Sequence, residues 1–169
     1  MKKIIKLGLF LGILAGLSTA ALTVVNSITA PVIARAQDEL FHQQLDLAFP
    51  TATRHIYLET DAADTLEIIR ALEGDTFLGY IYVQEIVGFA DIVRYMLVVD
   101  AEGYIRDFLT LLNSETIGFA DPVRLYHWAE DQFLNHHLNT QIDILAGATV
   151  TTNPIIRAIN NAHINFAGR

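Results

Sequence analysis

The chain has no cysteine. A disulfide framework, a thiolate-ligated zinc or iron–sulfur cluster and a cysteine-attached haem are therefore excluded, as is a lipid on a cysteine. Redox chemistry here depends on a cofactor held by other groups. Lysine is nearly as scarce: Lys2, Lys3 and Lys6 stand at the N-terminus and none follows. Beyond Arg35, seven arginines face nineteen acidic residues, a balance of −12. Such a body lacks the basic face that a phosphate backbone requires, so nucleic acid is not an expected partner. With 169 residues, 52% of them hydrophobic, the chain is too apolar for disorder and long enough for one domain and a short extra segment.

Charge is also absent from Leu7 to Ala34. The dense apolar part, Leu7 to Val25, is 19 residues long, close to the ~20 that a spanning helix needs. Ten of these are Leu, Ile, Phe or Val, which favour insertion by very roughly 3–6 kcal/mol before the Ser, Thr and Gly penalties. The three lysines place the N-terminus in the cytoplasm by the positive-inside rule, and the acidic body outside. Ala34-Arg35-Ala36 has the form of a signal cleavage site but stands well past the apolar run, so the segment reads as a retained anchor. Gly8, Gly12, Gly16 and Ala20 form a stripe of small residues on one helix face, the spacing that allows close helix packing in a bilayer.

Residues 37–49 are expected to be helical, stopped by Pro50. Residues 54–59, 77–87, 93–100 and 104–112 read as strands, with 65–72 undecided. Asp100-Ala101-Glu102-Gly103 is a hairpin turn. Asp121-Pro122 reads as an N-cap and first helical residue, opening a helix to about Leu134 with Val123, Tyr126, Phe133 and Leu134 inward. Asn153-Pro154 reads likewise, opening a helix to about Ile164 with Ile155, Ile159 and Ala162 inward. The expected fold is α+β: a twisted antiparallel sheet with packed helices, preceded by one transmembrane helix. Residues 1–36 are the anchor and juxtamembrane segment, and 37–169 the extracytoplasmic domain.

The segment Val87-Gly88-Phe89-Ala90-Asp91-Ile92-Val93-Arg94 is echoed thirty residues on by Ile117-Gly118-Phe119-Ala120-Asp121-Pro122-Val123-Arg124. These are two similar glycine turns or two loops lining one site. The strongest local signal is Asp143-Ile144-Leu145-Ala146-Gly147-Ala148-Thr149-Val150-Thr151-Thr152, just before the expected helix start at Asn153. Small residues allow close backbone approach, hydroxyls follow, and a helix N-terminus suits a phosphate. A phosphate-bearing ligand or a threonine-rich capping turn both fit. His127, His136 and His137 lack a metal-ligand spacing, so no metal is expected. No G-x-S-x-G elbow is present. Trp128 and Tyr126 read as core residues.

Gly147-Ala148-Thr149-Val150-Thr151 resembles the S/T-G-A-T-x-T/S flavinylation motif of the FMN-binding domain family. That family includes flavin-bearing components of the Rnf electron-transport complex and of the sodium-translocating NADH:quinone reductase. Asp143 fits the extended motif. Glu115-Thr116-Ile117-Gly118-Phe119-Ala120 is similar to the family's E-T-P-G-L-G segment, keeping Glu, Thr and Gly. The departures are Ala146 for Ser or Thr, and Ile117, Phe119 and Ala120 for Pro, Leu and Gly. The resemblance implies FMN joined covalently through its phosphate to Thr149 by an FAD-dependent flavin transferase. Gly147, Ala148, Glu115, Thr116 and Gly118 would line the cofactor. It further implies a single-pass cell-membrane protein that works beside other subunits of a membrane redox complex. Such a protein transfers electrons, has no catalytic residue of its own and is not a stand-alone enzyme. The alternative use of the same loop is a non-redox anchored module for a phosphate-bearing ligand or a protein partner.

Overall fold

A computed structural model describes residues 2–58 and 66–168. The chain divides into two units, Met1–Gln44 and Leu45–Arg169. The first belongs to a single helix, α1 (Lys2–Ala48), which joins the expected membrane segment and the expected 37–49 helix without a break and contains Pro31. At 1.5 Å per residue it is roughly 70 Å long, more than twice a hydrocarbon core of ~30 Å. Most of its hydroxyls are turned back on the helix. Thr19, Thr23 and Thr29 donate to the carbonyls of Ala15, Thr19 and Val25, each at 2.9 Å. That arrangement satisfies them where lipid offers no partner.

In the second unit, β1 (Arg54–Leu58), β2 (Leu66–Glu73), β3 (Thr76–Val87), β4 (Ile92–Asp100) and β5 (Ile105–Leu112) form one antiparallel sheet in sequence order. The undecided 65–72 stretch is thus a strand from Leu66. Glu59 and Thr65, the margins of two expected strands, lie outside the described residues. The hairpin between β4 and β5 closes through Asp100, whose Oδ1 accepts from the N–H groups of Glu102 at 3.1 Å and Tyr104 at 2.8 Å, an Asx turn. Two further helices follow, α2 (Pro122–Gln132) and α3 (Thr149–Ala167). The α+β architecture expected from the pattern is the one found.

Alternation in the strands sets the core. Tyr80, Tyr82, Tyr95, Leu97, Val99 and Phe108 share one face and pack with Leu125 and Trp128 of α2 and with Ile155 and Ile159 of α3. Ile69, Ile81, Val83, Met96 and Val98 are buried on the opposite face, where Phe49 lies over Gly79. Burial pushes the Tyr95 phenol well above its usual value, and its hydroxyl donates to Gln84 Oε1 at 3.1 Å.

The structure corrects both C-terminal helices. In α2 the inward residues are Leu125, Trp128 and Ala129. Val123 is 65% and Tyr126 39% exposed, so the helix is rotated from its expected phase. Phe133 and Leu134 are buried as expected, but they follow the end of the helix, where the chain turns toward Asn135 at φ 62°. They therefore carry no information about helical phase. Tyr126, expected in the core, is on the surface; Trp128 is in the core. The last helix begins at Thr149, four residues before Asn153, and holds Pro154 inside. Pro154 lacks only the N–H that would bond to Val150, a single missing rung near the start. Its inward residues Ile155, Ile159 and Ala162 are as expected.

The corrected phase of α2 makes a direct prediction. Leu125→Ala should cost about 2–5 kcal/mol of stability, whereas Val123→Ser should stay within about 0.5 kcal/mol. Denaturant unfolding of the detergent-solubilised chain, followed by the fluorescence of Trp128, measures both.

Candidate functional site

Three segments meet at one end of the sheet: the β3–β4 turn at residues 88–91, the β5–α2 loop at 113–121 and the approach to α3 at 143–148. The first two carry the echoed sequence. They diverge afterwards because Ile92 is a β-branched strand former, whereas Pro122 in the matching place is set for the first turn of a helix. Each loop is tied to the next by specific bonds. Glu115 is 8% exposed, and its Oε1 accepts from the Ala90 N–H at 3.0 Å. A side chain at Gly88 would collide with that same oxygen, so glycine is what lets the carboxylate approach. Asn113 braces the second loop, accepting from the Glu115 N–H at 2.8 Å and donating to the Ala120 carbonyl at 2.9 Å.

Asp121 fixes the exit of that loop. Its carboxylate accepts from the Gly118 N–H at 2.8 Å and from the Val123 and Arg124 N–H groups at 3.2 and 3.3 Å. The Gly118 bond first, with those from Arg124 and Val123, holds the Asp121 carboxyl below its usual value. Arg124 donates through Nη1 to the Gly118 carbonyl and through Nη2 to the Ala146 carbonyl, the latter at 2.9 Å. Gly118 and Gly147 sit at φ +84° and +82°, a left-handed conformation that costs a side-chain-bearing residue energy.

The approach to α3 ends without a cap. Ala148 occupies the N-cap position and makes no side-chain hydrogen bond, where Ser, Thr, Asp or Asn would ordinarily supply one. The Ala148 carbonyl accepts from the N–H groups of Thr151 and Thr152 at 3.1 and 2.9 Å. The N–H groups of Thr149 and Val150 begin the helix with no intrahelical acceptor. Of the threonines in this turn, Thr152 is buried and its hydroxyl donates to the Ala148 carbonyl at 3.1 Å. Thr151 is 1% exposed, and its buried hydroxyl has no hydrogen-bond partner among the described residues. Thr149 is exposed.

Between these segments lies a pocket of about 360 Å³ lined by Phe89, Glu115, Thr116, Phe119, Ala120 and the run Gly147 to Thr151. The echoed segments thus border one pocket, Phe89 coming from the first and Phe119 and Ala120 from the second. Glu115, Thr116, Gly147, Ala148 and Thr149 line it, and Gly118 flanks it next to Phe119. Asp143 is exposed outside it. Two residues of the site are not legible in the sequence. Arg124 bonds, among the described residues, to the backbone carbonyls of Gly118 and Ala146, which leave no pattern in sequence. Thr151 stands in the quoted motif, but its burial appears only once the helix start is moved to Thr149.

Residues 88–163, which span this pocket, match the model of the FMN-binding domain. Over these residues the chain is similar to the FMN-binding domain family. Residues 1–46 match the model of the RnfG N-terminal region, and α1 is long and apolar enough to cross a membrane. Together these describe a membrane-anchored FMN-binding subunit of the Rnf electron-transport type. A search of curated proteins finds no match. The residues present fit an FMN: an apolar pocket with two phenylalanines suits a planar ring system, and the uncapped N–H groups of α3 suit a phosphate. The orphaned Thr151 hydroxyl, which costs about 1–3 kcal/mol while unpaired, has the pocket as a source of partners.

Asp121 supplies a pH-dependent prediction. A carboxyl with a lowered folded value contributes stability that is complete above its unfolded value, about 3.9, and fades as pH falls through the folded one. Asp121→Ala should therefore destabilise the chain by about 1 kcal/mol at pH 7, the ordinary worth of a helix N-cap. The gap between variant and parent should narrow below about pH 4. Denaturant midpoints taken across that range check it.

Proposed function

We propose that the protein carries electrons through an FMN esterified to Thr149, on a domain held outside the cytoplasm by α1. The observation that carries this reading is the coincidence of an exposed threonine with the uncapped first turn of α3 at the edge of an apolar pocket. Thr149 is the accessible hydroxyl of the turn, whereas Thr151 and Thr152 are 1% and 0% exposed. An FAD-dependent flavin transferase would join the Thr149 oxygen to the flavin-side phosphorus of FAD, with AMP leaving and taking up the hydroxyl proton. The phosphodiester keeps one negative charge beside the positive end of the helix dipole.

When bound, the flavin supplies one- and two-electron chemistry; the chain supplies attachment, orientation and electrostatic surroundings. Gly147 and Ala148 let the backbone approach the phosphate end. Glu115 and Thr116 offer polar contacts beside the ring, and a carboxylate there disfavours a negatively charged reduced flavin. Covalent attachment keeps the cofactor where a released FMN would be lost. Other subunits of a membrane redox complex would donate and accept the electrons. Residues 1–36 are read as the retained anchor and juxtamembrane segment and 37–169 as the flavin domain. A non-redox module holding a phosphate-bearing ligand would use the same helix start, but the apolar pocket beside it favours a ligand with an aromatic ring.

The attachment is tested by Thr149→Val, which removes the oxygen and keeps the shape. Peptide mass mapping of protein from cells containing the transferase should find the flavin adduct on the parent's Thr149 peptide and none on the variant. Covalent flavin persisting in Thr149→Val would move the bond elsewhere. For the orientation, protease added to cells stripped of wall or outer membrane should digest the acidic body while the N-terminal lysines stay protected. Full protection of residues 37–169 would reverse the topology, and a mature N-terminus at Gln37 would indicate a cleaved signal.

A further inference from the structure

The loop that leads into α3 hangs on α2 by side-chain bonds to its backbone. Arg124 donates to the Ala146 carbonyl at 2.9 Å, Trp128 Nε1 donates to the Asp143 carbonyl at 2.8 Å, and Gln132 Oε1 accepts from the Asp143 N–H at 3.0 Å. Residues 124, 128 and 132 are four apart, so they form one row along the helix. The loop crosses that row as along a rail. At the N-terminal end of the same helix, Asp121 holds the Gly118 N–H and Arg124 holds the Gly118 carbonyl. Arg124 therefore grips both walls of the pocket, one residue from Phe119 on one side and one residue from Gly147 on the other. The two walls come close at this point: a Cβ added at Gly147 would lie 3.7 Å from the Phe119 ring.

We propose that Arg124 is the positioning residue that sets the separation of the two pocket walls, with α2 as the rigid ruler. A planar guanidinium with donors on separate nitrogens can bridge two carbonyls at a fixed distance; a lysine ammonium on a flexible stem cannot hold both in one geometry. The carbonyls it binds belong to residues whose neighbours line the pocket, so its effect on a bound ring passes through backbone. This consequence rests on the flavin reading, whereas the clamp itself is measurable without flavin.

Hydrogen exchange with mass spectrometry on the flavin-free full chain in detergent tests the clamp. Arg124→Gln should speed exchange roughly tenfold in peptides covering 116–120 and 144–150, the scale expected for losing charge-assisted bonds, and leave β3 and β4 as in the parent. Gln132→Ala should loosen the 143–146 segment alone. Arg124→Lys should fall between parent and Arg124→Gln. Should Arg124→Gln not fold, Arg124→Lys carries the test through the same peptides. Unchanged exchange in both segments, or acceleration spread equally through β3 and β4, would overturn the assignment. In flavin-loaded protein, the attached ring should show faster depolarisation of its fluorescence in Arg124→Gln. A parent that carries no flavin would remove the proposed function and leave the exchange result standing.

Discussion

A helix that starts without a side-chain cap leaves amide donors pointing outward, and much of this site is arranged around one such start. Ala148 stands where a capping hydroxyl or carboxylate would close the first turn of α3. Its own carbonyl is engaged by Thr151 and Thr152, so the open donors are those of Thr149 and Val150. Capping this helix internally would fill the position at which a phosphate can be received. The other two segments supply what a phosphate site alone lacks, an apolar wall. Phe89 and Phe119 arrive from echoed loops that have the same short sequence and opposite continuations, one into a strand and one into a helix.

Charged groups around this wall are few and each is tied down. Glu115 is buried against the pocket, with one oxygen engaged by the Ala90 N–H. Asp121 lies outside the pocket lining and commits its charge to three backbone N–H groups. Arg124 commits its guanidinium to two backbone carbonyls. The charged side chains around the pocket thus serve mainly to fix loop geometry, and the surface offered to a ring is largely carbon. Charge is divided along the whole chain in a comparable way: lysines at one end of an uncharged span, acids throughout the domain that follows.

The sheet was legible because its signals are local. Alternating β-branched and aromatic residues name every strand but β2, and Asp100 to Gly103 names a turn whose bonds form within five residues. The membrane helix and the cap at Asp121 were equally readable. The phase of α2 was not, because Phe133 and Leu134 look like a continuation of the helix and lie beyond its end. The start of α3 was misplaced by Pro154, which resembles a first helical residue and in fact sits one turn further in. Within the site, the motif at Gly147 to Thr151 and the segment at Glu115-Thr116 could be read and pointed to the pocket they line. The bridging of both walls by Arg124 could not, since its partners are carbonyls 6 and 22 residues away. Backbone acceptors are the same in every residue and write nothing into sequence.

The most direct measurement is the intact mass and in-gel flavin fluorescence of the full chain purified from its own host under denaturing conditions. The account predicts a chain heavier than its 18.8 kDa polypeptide by one FMN less one water, with fluorescence that stays on the protein band. A chain at the mass of the bare polypeptide, with any flavin colour passing into the filtrate on denaturation, would contradict it.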